Sequence, residues 1–379
     1  MRLLILSPEF PPGPGGIGTH AYQLARYLCE RGWAVTVVTA QDYAPNSEIA
    51  DFNARQPFQI IRLARLRGVP IRVLYRAGVF WRQIRRLKPD VILAANERAV
   101  WAVAALKGRI PAVAVGHGTE FGLTGLQAWL NRWAYARLDH IVCVSQFTWD
   151  MMIRQGIAPR RGSIIPNGAD EAHFKVIDGA PVQEFRARHG LDQARLLLTV
   201  GHVTERKGQQ VVIRALPQIL KEVPDVHYLV AGLPALKQKY SALAESLGVA
   251  DRVHFLGRVA HDELPVLMNA CDVFIMTSVN TPSGDVEGYG IAVVEAALCG
   301  KPAVVSGDSG LAEAVIDRET GFVVPQNDPE QTARAVIALL KDDELRRRLG
   351  TAARQRALAK QTWSVRLQAY ETVLRELVR

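Results

Sequence analysis

Two glutamates, Glu287 and Glu295, stand eight positions apart in DVEGYGIAVVEAALCG, among glycines and small apolar residues. Carboxylates in such a setting can grip hydroxyl groups. The run from Gly290 to Gly300 reads as a helix, with Gly300 at its C′ position followed by Pro302. At 3.6 residues per turn, Glu287 falls in the loop before it and Glu295 about one and a half turns inside. Between them lie free N–H groups and a partial positive charge, a seat for phosphate. One acid can then hold a ribose and the other a sugar beyond the phosphates. The plainer alternative is a capping acid and an incidental surface acid. A second candidate is Arg206-Lys207, ahead of Gly208 in GHVTERKGQQ. These cations can meet a diphosphate, Arg as a planar fork and Lys as a point charge. The alternative is an exposed basic pair; no P-loop sequence is present. A third is SPEFPPGPGGIGTH, where Gly13, Gly15 and Gly18 match G-x-G-x-x-G and Asp42 is a candidate ribose partner. Pro11-Pro12 and Pro14 lengthen and stiffen that loop beyond a tight turn. A glycine lip that approaches phosphate or sugar fits it better than a dinucleotide fingerprint. His117, in VGHGTE, is a fourth, although a lone histidine is most often structural. Glu120 and Asp139 are nearby acids without an assigned role.

These residues need rigid elements behind them. Short β-branched runs at Leu3–Leu6, Ala34–Thr39, Val91–Ala95, Ala112–Val115 and Ile141–Val144 alternate with helical spacing such as Thr19–Arg31. The rhythm restarts at Leu196–Val200 and continues through His227–Ala231, Val253–Leu256, Val273–Met276 and Ala303–Ser306. Strands alternating with helices imply parallel sheets covered on both faces, and two series imply two doubly wound α/β domains. The expected division is 1–170 and 171–361, near the Pro-Asn-Gly turn of Ile164–Asp170. A final amphipathic segment, 362–379, is expected to pack back on the first domain. Ligands of such sheets bind beyond the carboxyl ends of the strands. Each candidate above lies in a loop of that kind, or in the helix just after it.

Composition narrows the class. A chain of 379 residues, nearly half of them apolar, is long enough for two cores. Four scattered cysteines without metal-like spacing read as reduced thiols of a cytoplasmic protein. The N-terminal apolar run is too short for a signal peptide, and no run approaches a membrane span. Charge is uneven: residues 1–170 hold 21 Lys and Arg against 11 Asp and Glu, the remainder 25 against 26. The excess concentrates between Arg55 and Lys88, where Arg62, Arg65, Arg67, Arg72, Arg76, Arg82, Arg85 and Arg86 are interleaved with apolar and aromatic residues. That segment, Arg62–Lys88, reads either as a solvated helix face or as a surface for anionic membrane lipid. No nucleic-acid-binding pattern accompanies the charge, so nucleic acid is not an expected partner.

EGYGIAVVEA has the E-x7-E form of the retaining family-4 glycosyltransferases, which have a GT-B fold. The chain resembles that family from Gly15-Gly16 through Arg206-Lys207, HFLGRV and ACDVFIMTS to GKPAVVSGDSGLAEAVIDRETGFVVP, so the likeness covers most of its length. The wording DVEGYG is similar to the phosphatidylinositol mannosyltransferase branch. The resemblance implies an acceptor-binding first domain and a nucleotide-sugar-binding second domain. It implies that Arg206 and Lys207 neutralise the donor diphosphate, that Glu295 holds the ribose, and that Glu287 and His117 contact the transferred sugar. Gly288, Gly290 and Ile291 would offer backbone N–H groups, Val259 would lie by the base, and Gly15-Gly16 would approach the phosphate. Transfer would proceed with retention from a nucleotide-diphosphate sugar, GDP-mannose favoured, to a lipid-linked or glycan acceptor, with neither metal nor cofactor. The chain has Thr277-Ser278 where the family often has Pro-Ser, and a long segment follows, which touches donor preference and loop closure. Two rivals are an NAD-dependent oxidoreductase, which predicts tight NAD binding, and a nucleotide-sugar-binding protein without turnover.

Overall fold

The computed structural model describes residues 1–13, 15–40, 44–64 and 69–379, with side chains left undescribed at 69–74. Pro14, Asp42, Arg65 and Arg67 lie outside the described residues, as does the side chain of Arg72. The chain forms two compact units, Met1–Asn167 with Arg366–Arg379, and Gly168–Val365.

The first unit is built on seven strands: β1 Arg2–Ser7, β2 Ala34–Thr39, β3 Gln59–Arg62, β4 Val91–Ala94, β5 Ala112–Gly116, β6 His140–Cys143 and β7 Gly162–Ile164. They pair in parallel in the order β3-β2-β1-β4-β5-β6-β7. The second holds β8 Arg195–Val200, β9 Val226–Ala231, β10 Val253–Gly257, β11 Val273–Met276, β12 Ala303–Ser306 and β13 Gly321–Val324, parallel in the order β10-β9-β8-β11-β12-β13. Both match the doubly wound α/β expectation.

The central strands β4, β5, β11 and β12 are buried at every residue. That is the mark of parallel strands with helices on both faces, and it explains their unbroken apolar sequences. In the first unit Leu4, Ile92, Ala114 and Ile141 pack with Phe80, Val103 and Tyr135. In the second, Leu197, Tyr228, Val273 and Val304 pack with Ile213, Leu216 and Leu339. Each such Leu or Ile contributes about 1.5–3 kcal/mol of transfer free energy. In each sheet the strand order reverses beside its first strand, between β1 and β4 and between β8 and β11. At such a reversal the loops leaving neighbouring strands diverge and open a crevice.

Candidate active site

In the second unit the loops after β8 and β11 meet at the reversal. Gly208 makes the meeting close. Its φ is +72°, and a Cβ there would lie 1.7 Å from the Thr277 carbonyl oxygen. Thr277 Oγ1 donates to the Gly208 carbonyl at 2.9 Å, and the Val279 N–H donates to the Arg206 carbonyl at 2.8 Å. This junction brings Arg206 and Lys207 onto Glu287. Arg206 Nη1 donates to Glu287 Oε2, and Lys207 Nζ reaches the same oxygen at 2.7 Å. Arg206 Nε lies 3.3 Å from Asp285 Oδ1. Glu287 is buried, and burial alone would raise its pKa; the two cations outweigh it and hold the carboxyl at about 2. The cation pair is therefore part of a partly buried, charge-assisted cluster rather than an exposed basic pair.

Glu295 lies in the second turn of the helix Ile291–Leu298, partly buried. Burial and then Asp170 push it up to about 7, against the pull of Lys207. Gly290 precedes that helix with φ +87°. The segment before it is pinned from behind: the Gly310 N–H donates to the Glu287 carbonyl at 3.0 Å. A Cβ on Gly310 would fall 1.8 Å from the Gly288 carbonyl oxygen. Gly288, Gly290 and Ile291 thus bring the N-terminus of the helix next to Glu287. Val259 sits two residues past β10, at the carboxyl end of the same sheet. His202 escaped the sequence reading. It stands next to Gly201, and burial with Lys207 and Arg206 lowers its pKa. A histidine directly after a strand at the reversal is the signal that could have found it.

This arrangement suits a diphosphate.

His117, Gly15 and Gly16 belong to the first unit. Gly15 caps the helix Gly16–Glu30, and its carbonyl accepts the Thr19 N–H at 3.0 Å. His117 follows β5, partly buried, with its ring 5.4 Å edge-to-face from His20. His20 is fully buried and in turn lies 5.1 Å from the Tyr370 ring. Burial lowers the His117 imidazole to about 4, so it is neutral near pH 7. Its Nε2 has no hydrogen-bond partner among the described residues. Asp139 proves structural, ion-paired to Lys107 at 2.7 Å and accepting the Ala112 N–H at 2.9 Å. Glu120 turns inward beneath the His117 loop.

The basic segment needs one correction. Arg62 is not a surface cation for lipid. Its guanidinium donates to the carbonyls of Phe10 and Pro11 and to Asn53 Oδ1, the last at 3.0 Å, tying β3 to the glycine loop. Arg82, Arg85, Arg86 and Lys88 are exposed.

Comparison with known proteins agrees with the geometry. Residues 14–173 match the model "Glycosyltransferase Family 4", and residues 181–356 match "Glycosyl transferases group 1". The GDP-mannose-dependent alpha-(1-6)-phosphatidylinositol monomannoside mannosyltransferase of Mycobacterium tuberculosis is 29% identical over 96% of this chain and 95% of its own. The same-named enzyme of Mycolicibacterium smegmatis is 29% identical over 96% of each. Among solved structures, Anabaena HepE in complex with UDP and glucose superposes with a TM-score of 0.83 at 22% identity, covering 99% of this chain and 100% of that one. Gly15 and Gly18 fall inside the first matched region, and the two matches together span most of the chain, so the oxidoreductase reading of the glycine loop gives way. With both models matched in order along one chain, and two parallel-sheet units behind them, the chain belongs to the GT-B glycosyltransferases of family 4.

Proposed function

We propose that this enzyme transfers mannose from GDP-mannose, with retention at the anomeric carbon, to a lipid-linked acceptor of the phosphatidylinositol-mannoside kind. The observation that carries the reading is the cluster of Arg206, Lys207 and Glu287 at the strand-order reversal. On this reading the diphosphate takes the two cations, Glu287 and His117 take hydroxyls of the sugar, and Glu295 takes the ribose. As the glycosidic bond to the diphosphate breaks, negative charge grows on the leaving oxygen, and fixed cations there lower the barrier. Glu287 is a positioning group in this scheme, and the acceptor hydroxyl attacks from the face the diphosphate leaves. The donor preference is supported by the relatives, whose names specify GDP-mannose. Their acceptor is phosphatidylinositol monomannoside, which supports a lipid-linked acceptor here.

Arg206 and Lys207 with the helix N-terminus supply the positive charge a metal would otherwise bring. EDTA is therefore expected to leave turnover unchanged; turnover restored only by added Mg2+ or Mn2+ would overturn this. We further read the first unit as the one that meets the inner face of the membrane. Trp81, Leu126 and Trp129 are 47%, 71% and 53% exposed. The Arg85 guanidinium stacks 4.7 Å over Trp81. Exposed aromatic side chains with arginines beside them suit an anionic interface.

The deciding experiment is transfer from GDP-mannose, UDP-glucose and UDP-N-acetylglucosamine to phosphatidylinositol mannoside acceptors, with the product's anomeric configuration read by NMR. An α-mannoside formed only from GDP-mannose is the expected result. A β-linked product, or transfer only from a UDP-sugar, would replace the reading.

A further inference from the structure

We propose that Glu120 is the positioning residue that holds the His117 loop in its working shape, by accepting the backbone N–H groups of His117 and Gly118 on its two carboxylate oxygens. The proposal rests on the reading of His117 as a group that contacts the transferred sugar. The His117 N–H reaches Oε1 at 2.6 Å and the Gly118 N–H reaches Oε2 at 2.9 Å. Glu120 is only 5% exposed. Gly118 has φ +123°, a backbone shape that must be held from outside.

The chain around Glu120 is anchored independently. Asn131 Nδ2 donates to the Glu120 carbonyl at 2.6 Å, and Trp101 Nε1 donates to Asn131 Oδ1 at 2.7 Å. Gln155 Nε2 donates to the Leu123 carbonyl at 3.1 Å. The Phe121 ring fills the space that Gly116 leaves without a side chain, where a Cβ would stand 2.6 Å from it. Neighbouring helices thus fix the backbone, and the carboxylate reaches back to set the loop.

An apolar side chain would fill this place at less cost, so the buried acid calls for a reason. The titratable groups that act on it are Glu97, Tyr135 and Cys143, while His117 meets it through its backbone N–H. Glu97, Tyr135 and Cys143 carry no positive charge, and the His117 imidazole is neutral near pH 7. The ionised form is held by backbone N–H groups: its own first, then those of His117 and Gly118. Burial pushes the carboxyl up to about 7. A proton on it converts one acceptor oxygen into a donor and leaves one loop N–H without its partner.

E120Q and H117A test this together, with GDP-mannose as donor and amide exchange at His117 and Gly118 as a second readout. In E120Q, kcat is expected to fall roughly 10- to 100-fold. KM for donor and affinity for GDP should be unchanged, and the two amides should exchange at least about tenfold faster. Wild-type kcat should decline as pH falls through about 7, and E120Q should lack that acid limb. If E120Q keeps wild-type kcat and amide protection while H117A abolishes transfer, the positioning role is overturned and the reading of His117 stands. If H117A transfers at the wild-type rate, the reading of His117 fails, and Glu120 loses its part in the reaction with it. Should E120Q not fold, the wild-type protein decides: protection of the two amides falling between pH 8 and 6 supports the role, and constant protection overturns it.

Discussion

Both glutamates of the second sheet lose water on folding, and burial alone would raise both, but their neighbours differ. Glu287 faces Arg206 and Lys207 and drops from 4.5 to about 2. Its depressed pKa stabilises the fold above about 4.5, and that contribution disappears as pH falls from 4.5 toward 2. Glu295 faces Asp170 and rises from 4.5 to about 7. Its sign is opposite: ionisation costs stability, absent below about 4.5 and complete above about 7. E295Q is therefore expected to stabilise the unliganded enzyme by roughly 1–3 kcal/mol at pH 8, with no gain at pH 4.5. Urea unfolding at the two pH values reads this, and an equal gain at both would refute the assignment. E295Q should weaken GDP binding at the same time. E287Q should separate binding from turnover. Freeing two cations leaves GDP affinity equal or higher, while transfer falls about 100- to 1000-fold. Calorimetric titration with GDP beside transfer kinetics checks it; full activity in E287Q would remove the central site assignment.

At the scale of elements, the site depends on loops that touch through glycine. Gly208→Ala would force φ +72° on a side chain and drive its Cβ into the Thr277 carbonyl. A loss of at least about 2 kcal/mol of stability is expected, together with weaker GDP binding. Gly248→Ala is the control. Its φ is +67°, yet nothing lies within 4 Å of the added Cβ. It should cost only about 1 kcal/mol and leave GDP binding alone. Equal effects from the two substitutions would mean that the contact between the β8 and β11 loops does not shape the site.

For the whole molecule, the unequal charge is the main lever. The cation excess lies in the first 170 residues, and the remainder is nearly balanced. Vesicle binding through exposed arginines should weaken with salt as charges are screened over about 8–10 Å. Each arginine near an anionic surface is worth about 1 kcal/mol, so replacing Arg82, Arg85 and Arg86 with glutamate should lower vesicle affinity by at least about 100-fold. Co-sedimentation with phosphatidylglycerol vesicles against neutral ones measures this. Transfer to a soluble acceptor analogue should not change. Equal binding to both kinds of vesicle would discard the electrostatic surface.

Repeated short apolar runs were enough to show parallel strands, because strands covered on both faces must be apolar throughout. Central strands such as β11 and β12 were therefore legible residue by residue. The edge strands β3 and β13 were not, since QIIR and GFVV are short and less completely buried than the central strands, and only pairing with a neighbour makes them strands. Residue types and spacing offered Arg206-Lys207 and Glu287 with Glu295 as separate candidates, each with a plainer alternative, and the family resemblance joined them into one donor site. Tertiary structure alone decided which charges meet. Arg206 and Glu287 are 81 residues apart, and only the adjacency of β8 and β11 joins them. It likewise turned Arg62 inward and placed Glu120 under the His117 loop, since side-chain direction follows from packing that no local pattern encodes.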